Sequence, residues 1–534
     1  MATQLEFKLG DWKADLRPHK TFRIAVSGDV SLTKLETKIV DTSEFQRLRD
    51  LKQLGLCHLV YPSAVHTRFE HTLGAVKKAD TILESTRKNS LLENVESFTP
   101  EQQQMARLVA LFHDVANVPM GHTLEDETRV LAEHQEDEKR FESVIGPGTP
   151  IGTILKDAIG DEGCAALLKI LTTKDRDITS LGDDAFICDV VKNTVCADLL
   201  DYLERDAYFC NLAIGFGDRF LRYIFLAKPG DGTRRVAIRL WKERDDRVRD
   251  DLVSELIQLL QTRYYLAERV YFHHTKLVTS AMIGRAVCAA MRATKGTKLA
   301  ESELLGMGDA KLMDRLTESK EPIAHNLAKM LSGRTLYKRA YTLHRSSAEA
   351  DKRHGTLDRI KREYHLDAAN RFRKEDEIAD LCGLAPGDVL ICCPDPDMNL
   401  KAANMLVTWA NGFKKLKEVE EPLIRQKIES ILNSHRNLWS VGVYVHPEKL
   451  NDRVRQRLAD LCDEHFVKGV QYSPEVVERI LFDVAAEGAM TVQASTIRKC
   501  AAEMMSESKG QPASLTRKYL REQLEKAGKK PQQD

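Results

Sequence analysis

Hydrophobic and polar positions alternate with a helical period over most of the chain. Met105 to Phe112 (MARLVALF) is a compact apolar block that runs into a polar turn, and from Leu252 to Met291 apolar side chains recur at i, i+3 and i+4. The first predicts a buried helix and the second one or two long helices. A β-hairpin is expected where Phe220–Lys228 and Arg234–Trp241 flank Pro229-Gly230-Asp231-Gly232, a run with turn chemistry. Further strands are expected at Val389–Cys393 and Ser440–Val445. The stretch from Lys295 to Lys374 is charged and reads as helical, with basic clusters at Lys352-Arg353 and Lys361-Arg362. The last residues, KAGKKPQQD, should fray. The pattern predicts a mostly α fold with small β additions.

Composition narrows the class. At about 150 residues per domain, 534 residues allow two to four domains and a large core. Hydrophobic content of 43% with 30% charge lies far from the disordered regime. The 80 Lys+Arg and 80 Asp+Glu give a formal charge of zero, which argues against bulk capture of nucleic acid but leaves room for a local basic pocket. Eleven cysteines, scattered and with no C-x-x-C, exclude a structural zinc knuckle and count against a secreted disulfide framework. The first twenty residues carry charges throughout and have no apolar h-region, and no run approaches the ~18 apolar residues of a membrane span. A soluble, cytoplasmic protein is expected, with no membrane partner.

The candidate chemistry lies in three distant segments. His71 stands in HTRFEHTLG, His113 and Asp114 in ALFHDVANVPMGH, and Asp198 in VCADLLDYLERD. Two imidazoles and two carboxylates suit a divalent transition metal such as Mn, Fe, Zn or Co, which water and phosphate oxygens can also approach. Neighbours on a regular helix point about 100° apart, so His113 and Asp114 can serve one ion only at a helix end, which Asn117 and Pro119 supply. An isolated His-Asp pair is otherwise a surface or capping pair. Asp198, Tyr202 and Asp206 fall at i, i+4 and i+8 and share one helical face. Arg263 and Tyr271 are likewise eight apart; the arginine is a natural phosphate clamp, while tyrosines at such spacing also serve as ordinary core.

These segments resemble the HD-domain phosphohydrolases, whose signature is H…HD…D, and within them the deoxynucleoside triphosphate triphosphohydrolases (dNTPases): bacterial dGTPases and the vertebrate sterile-alpha-motif/HD-domain branch. Asp41 to Gly74 (DTSEFQRLRDLKQLGLCHLVYPSAVHTRFEHTLG), His113 to Glu127 (HDVANVPMGHTLEDE), Asp198 to Asp206 (DLLDYLERD) and Trp439 to Cys462 carry the likeness, which runs with gaps from about residue 22 to 465. No sterile-alpha-motif domain is expected before it. The resemblance implies an HD-domain helical core over 1–294, a helical extension and α+β C-terminal lobe over 295–480, and a helical tail over 481–534.

It also implies His71, His113, Asp114 and Asp198 as the metal set, holding Mn, Fe, Zn or Co, with Mg or Mn accompanying the substrate phosphates. Water made reactive there would attack the α-phosphorus and release a deoxynucleoside and inorganic triphosphate. His122 and Glu125, three apart, are the candidates for the proton donor to the leaving oxygen and its orienting partner. His134 sits where the family has a second active-site histidine, the alternative being an exposed residue in a charged run. Tyr202 would lie beneath the sugar, Asp206 would hold its 3′-hydroxyl, Arg68 would contact phosphate, and Gln53 and Leu54 would flank base and sugar. Asp41, Gln46 and Arg49 match positions that contact an activating guanine nucleotide in the vertebrate branch, with surface charge pairs as the alternative. A nucleotide effector would act through homo-oligomers, whether dimer, tetramer or hexamer.

Two departures stand out. Leu199 replaces a phosphate-binding lysine of the vertebrate branch, and Ala267 replaces a histidine. Each charge-assisted contact is worth roughly 1.5–3 kcal/mol. The first reading is therefore a dGTP-preferring or broad dNTP triphosphohydrolase, serving nucleotide-pool control or antiviral defence. The alternative keeps the metal and hydrolyses nucleotide monophosphates, oligonucleotides or nucleic-acid ends. A nucleic-acid-binding or nucleotide-sensing scaffold with a vestigial site is a third, opposed by the complete H…HD…D set. A P-loop NTPase is excluded because G-x-x-x-x-G-K-[ST] is absent.

Overall fold

The computed structural model describes residues 7–92, 96–133, 137–230, 232–294, 296–350, 356–398, 400–410, 412–467, 473–488, 490, 492–507 and 516–529. The fold is mostly α, with sheets of two to four strands.

Two long helices lead into the site. Helix α1 runs from Arg68 to Leu92. Helix α2, Pro100–Phe112, starts on a capping box in which Thr99 and Gln102 satisfy each other's backbone N–H, with proline in the first turn. The MARLVALF block is its buried part, and the helix ends on His113. The third, α3, spans Ala197–Phe209. The apolar run from residue 252 resolves into two helices, α4 (Asp250–Leu266) and α5 (His274–Met291), joined by a π-turn over Ala267–Tyr271.

The expected hairpin forms between Ile224–Ala227 and Arg235–Ile238, antiparallel with Ile224 opposite Ile238. It is extended by Leu406–Trp409, which runs parallel to Arg235–Ile238, and by Gly412–Lys415. Val389–Cys392 pairs with Ser440–Val445, as their apolar runs suggest. The other edge of that sheet corrects an expectation. Lys338–His344, within the stretch read as helical, is a strand paired along Ser440–Val445. It is a half-exposed edge strand, so its lysine, arginine and histidine hid a β alternation under charge. Lys352-Arg353 lies outside the described residues.

The main core gathers residues from Val30 to Val270 and then takes in Leu400 to Ile431. A second cluster joins Leu343–Met398 with Trp439–Leu524 around the fully buried Trp439, whose indole donates to the Pro394 carbonyl at 2.8 Å. A third, centred on α5, lies against the loop that follows His113. All eleven cysteines are free thiols, ten of them buried. Among the described residues no helix is long and apolar enough to cross a membrane.

Candidate metal centre

His71 lies one turn into α1, His113 caps α2, and Asp198 lies in the first turn of α3. Their ligand atoms converge. His71 Nε2 is 3.2 Å from His113 Nε2 and 3.1 Å from Asp198 Oδ1, and His113 Nε2 is 3.7 Å from the same oxygen. Ligands about 2.1 Å from one ion stand about 3.0–3.4 Å apart, which is nearly this spacing. His71, His113 and Asp198 form a group able to hold one metal ion among the described residues.

The hydrogen bonds behind the rings decide which atoms face the centre. His71 Nδ1 bonds Asp201 Oδ2 at 2.9 Å, and His113 Nδ1 bonds the Ala110 carbonyl at 2.7 Å. Both acceptors demand a proton on Nδ1, so in the neutral tautomers both Nε2 atoms present lone pairs to each other and to a carboxylate oxygen. Only a proton or a cation reconciles three such donors, and this donor set fits a divalent metal. Without a cation, burial opposes charge on His71, but Asp198 and Asp201 outweigh it and push its pKa up to about 10. His113 is raised likewise by Asp114 and Asp198. Asp198 is driven the other way, well below the usual carboxylate range: burial opposes its charge, but the two histidines prevail.

Asp114 stands slightly back. Its Oδ2 is 3.8 Å from His71 Nε2 and 3.9 Å from His113 Nε2, accepts from Arg68 Nη1 at 2.6 Å, and its Oδ1 accepts from Asn117 Nδ2 at 2.8 Å. Arg68, expected at phosphate, is a buried brace for Asp114; it is 1% exposed. Gly121 makes room for that brace, since a Cβ there would meet Arg68 Nη2 at 2.5 Å.

Asp201 and Arg205 are functional residues the sequence reading missed. Arg205 donates twice to Asp201 at 2.8 Å, fixing the carboxylate that orients His71. Gly74 permits this approach, because a Cβ would lie 1.9 Å from Asp201 Oδ1. Their signal was present as an i, i+4 charge pair on the face of α3 beside Asp198. His66 was missed too.

A cleft of about 580 Å³ opens beside the centre, and Gln53, Leu54, Asp114, His122, Glu125, Asp198, Tyr202, Asp206, Arg263 and Tyr271 all line it. Asp206, expected at the sugar 3′-hydroxyl, lines the cleft with both oxygens engaged: His66 Nε2 lies 2.8 Å from one and the Tyr271 hydroxyl donates to the other at 2.7 Å. Burial raises the pKa of Tyr202 and Tyr271, keeping both phenols protonated.

The partner of His122 also differs from expectation. Its Nδ1 lies 2.5 Å from Asp126 Oδ2, whereas Glu125 is buried and takes Arg140 Nη1 at 2.6 Å. The turn over Thr123–Glu127 is π-wound, so the residue four on, not three, comes back over His122. Enclosure opposes charge on His122, but Asp126 overcomes it and raises the pKa. His134 lies outside the described residues.

Asp41, Gln46 and Arg49 line none of this cleft. Asp41 pairs with Lys20 at 3.5 Å, Gln46 donates to the Val40 carbonyl at 2.7 Å, and Arg49 donates to Gln46 at 2.7 Å while stacking 3.6 Å over Phe69. The three close on each other and their neighbours.

A family model described as the HD associated region matches residues 253–463. An uncharacterized protein of Methanocaldococcus jannaschii is 27% identical over 477 residues, covering 88% of this chain and 87% of that one. A deoxynucleoside triphosphate triphosphohydrolase SAMHD1 homolog of Dictyostelium discoideum is 28% identical over 60% of this chain, and the SAMHD1 of Danio rerio 26% identical over 50%. These alignments span 59% and 44% of those two proteins. In fold, a hypothetical protein from Aquifex aeolicus is similar with a TM-score of 0.57 at 23% identity, covering 82% of this chain and 99% of that one. The comparisons support a metal-binding phosphohydrolase with an HD domain. The matched region and these relatives support a likeness to HD-domain, dNTPase-like proteins.

Proposed function

We propose that the chain hydrolyses deoxynucleoside triphosphates, dGTP or dNTPs broadly, to deoxynucleoside and inorganic triphosphate. The observation that carries this reading is the meeting of three lone-pair donors, from His71, His113 and Asp198, beside a cleft lined by Asp198, Tyr202, Asp206, Arg263 and Tyr271. His71, His113 and Asp198 would hold the divalent ion with Asp114 beside them; bound there, it supplies Lewis acidity toward phosphoryl oxygen and lowers the pKa of water to about 7.

The remaining roles belong to the chain's own groups. His122, whose pKa Asp126 raises, would give a proton to the departing 5′-oxygen. Arg263 neutralises phosphate charge, and the Tyr202 and Tyr271 rings pack against the sugar. Asp206, locked between His66 and Tyr271, fixes the Tyr271 ring. The printed names of the Dictyostelium and zebrafish relatives support the substrate class. A homo-oligomer in the cytoplasm, with a nucleotide effector, belongs to the same proposal.

Leu199 and Ala267, both buried and apolar, favour a second reading, in which the same metal centre cleaves nucleotide monophosphates, oligonucleotides or nucleic-acid ends. Incubation of the purified chain with each dNTP, NTP, dNMP and short single-stranded DNA, with Mn²⁺ or Mg²⁺, separates the two. Deoxynucleoside plus inorganic triphosphate is the expected product. Monophosphates released from oligonucleotide would transfer the assignment to the second reading.

A further inference from the structure

The wall of the cleft that carries Asp198 and Leu199 also carries Lys192, Lys401 and Arg263. Lys192 follows the helix Ala185–Val191, and its Nζ donates to the carbonyls of Leu171 at 2.6 Å and Thr173 at 2.9 Å. An ammonium has three N–H donors, so two carbonyls leave it one donor. Among the described residues Lys192 makes no ion pair. Lys401 arrives from the opposite side of the sequence, on the turn Lys401–Asn404, and touches Asp175 at 3.4 Å with 58% of its side chain exposed.

These cations lie within electrostatic reach of the start of α3. The charge of Lys401 acts on both Lys192 and the Cys196 thiol, and Arg263 acts on Cys196 as well. Cys196 is the N-cap of α3, two residues before Asp198, so the positive end of a thirteen-residue helix faces the same space. Against these positive groups stand Asp175, which pairs with Lys401 and also acts on Lys192, and Asp198, committed to the metal centre. The rest of the lining carries more acidic than basic groups, among them Asp126, Glu127, Asp395 and Asp397, so the positive charge is confined to the stretch around Cys196.

Resting on the triphosphohydrolase reading, we propose that Lys192 and Lys401, together with Arg263, form a polyphosphate subsite that receives the terminal phosphates of the substrate. Leu199 and Ala267 cannot donate to phosphate, and these lysines, brought from outside the H…HD…D segments, supply the missing charge. The ligand chemistry is a linear triphosphate, free as product or attached to a deoxynucleoside as substrate.

Calorimetric titration of inorganic triphosphate into the full, metal-loaded chain tests this. Lys192→Met and Lys401→Met should each weaken triphosphate binding about tenfold to a hundredfold. Lys192→Arg should restore most of it, and bound metal measured by mass spectrometry should not change. Lys401 is exposed, so Lys401→Met tests the subsite even where Lys192→Met misfolds. Unchanged triphosphate affinity in Lys401→Met, or a wild-type chain that binds no inorganic triphosphate, overturns the proposal. Triphosphate binding that depends on these lysines without dNTP turnover keeps the subsite and rejects the reaction. Turnover of dNTPs with a KM indifferent to both lysines keeps the reaction and rejects the subsite.

Discussion

At the metal centre, His71 and His113 are buried beside carboxylates, and burial loses to charge: both rings are pushed toward protonation or toward a cation. In the second core cluster His465 is as deeply buried as His71, with the Tyr364 hydroxyl 3.4 Å from its Nδ1, and there burial wins. The same is true of His435 on the first cluster's outer helix, Pro422–Arg436. Both of these rings fall to a pKa of about 4. A buried histidine therefore says little until the groups around it are counted. What separates a ligand from a packing residue here is the carboxylates around it: Asp198 and Asp201 about His71, Asp114 and Asp198 about His113.

The contrast breaks most sharply at Asp198. Asp198→Ala removes the oxygen that both imidazoles face, and turnover should fall on the order of 10³–10⁵-fold in the product assay. Since Asp198 lies in a solvent-reached first turn, thermal unfolding of the variant should stay cooperative. Activity surviving in that variant would dismiss the centre.

His122 sets the next largest effect. His122→Gln should lower kcat by about 10²–10⁴-fold. Its raised pKa keeps the acid form populated further up the pH scale, so activity is lost as pH rises through that value. Asp126→Asn removes the cause of the rise and should move the alkaline limb of the pH–rate profile to lower pH. Glu125→Gln should leave that limb in place and cost about 1–3 kcal/mol in stability, because Arg140 loses its buried carboxylate but keeps Glu301 at 2.9 Å. Movement of the limb in Glu125→Gln alone would restore Glu125 as the orienting partner.

Asp201→Asn sharpens the comparison with a smaller change. The amide keeps the shape but not the charge behind His71, and metal affinity measured by competition with a chelator should drop about 10–100-fold. An unchanged affinity would mean that the tautomer of His71 needs no carboxylate.

Much of this was legible in the chain. The H…HD…D residues meet because each lies at a helix end or first turn that short-range sequence specifies: the Thr99–Gln102 capping box, the Asn117 turn, and the charge ladder of α3. What escaped was set by geometry that local periodicity does not encode. The π-turn at 123–127 exchanged Glu125 for Asp126, because a 3.6-residue period was assumed. Arg68 and Asp206 have the right chemistry for ligand contact, yet buried partners more than forty residues away already claim them. Lys192 and Lys401 carry no motif at all; only the fold brings them to Asp198. The Lys338–His344 strand vanished under its charge because it is an edge strand whose polar face meets solvent.

The smallest effect returns to the histidines of the two cores. His465 is lowered by burial, with Lys374 and Arg359 lowering it further and Glu377 opposing. His435 is lowered by burial and by Arg263, against a hydrogen bond at Met398. In the unfolded chain both would titrate near 6.5. The unfolded state thus binds more protons between about pH 6.5 and 4, so the stability these rings allow is full above 6.5 and is lost as pH falls toward 4. At pH 5 each costs on the order of 2 kcal/mol. Urea unfolding at pH 7.5 and 5 should show that loss in the wild type, and His465→Phe, which cannot protonate, should lose less between the two. An equal loss in that variant would place the acid sensitivity elsewhere and remove the asymmetry between the two regions.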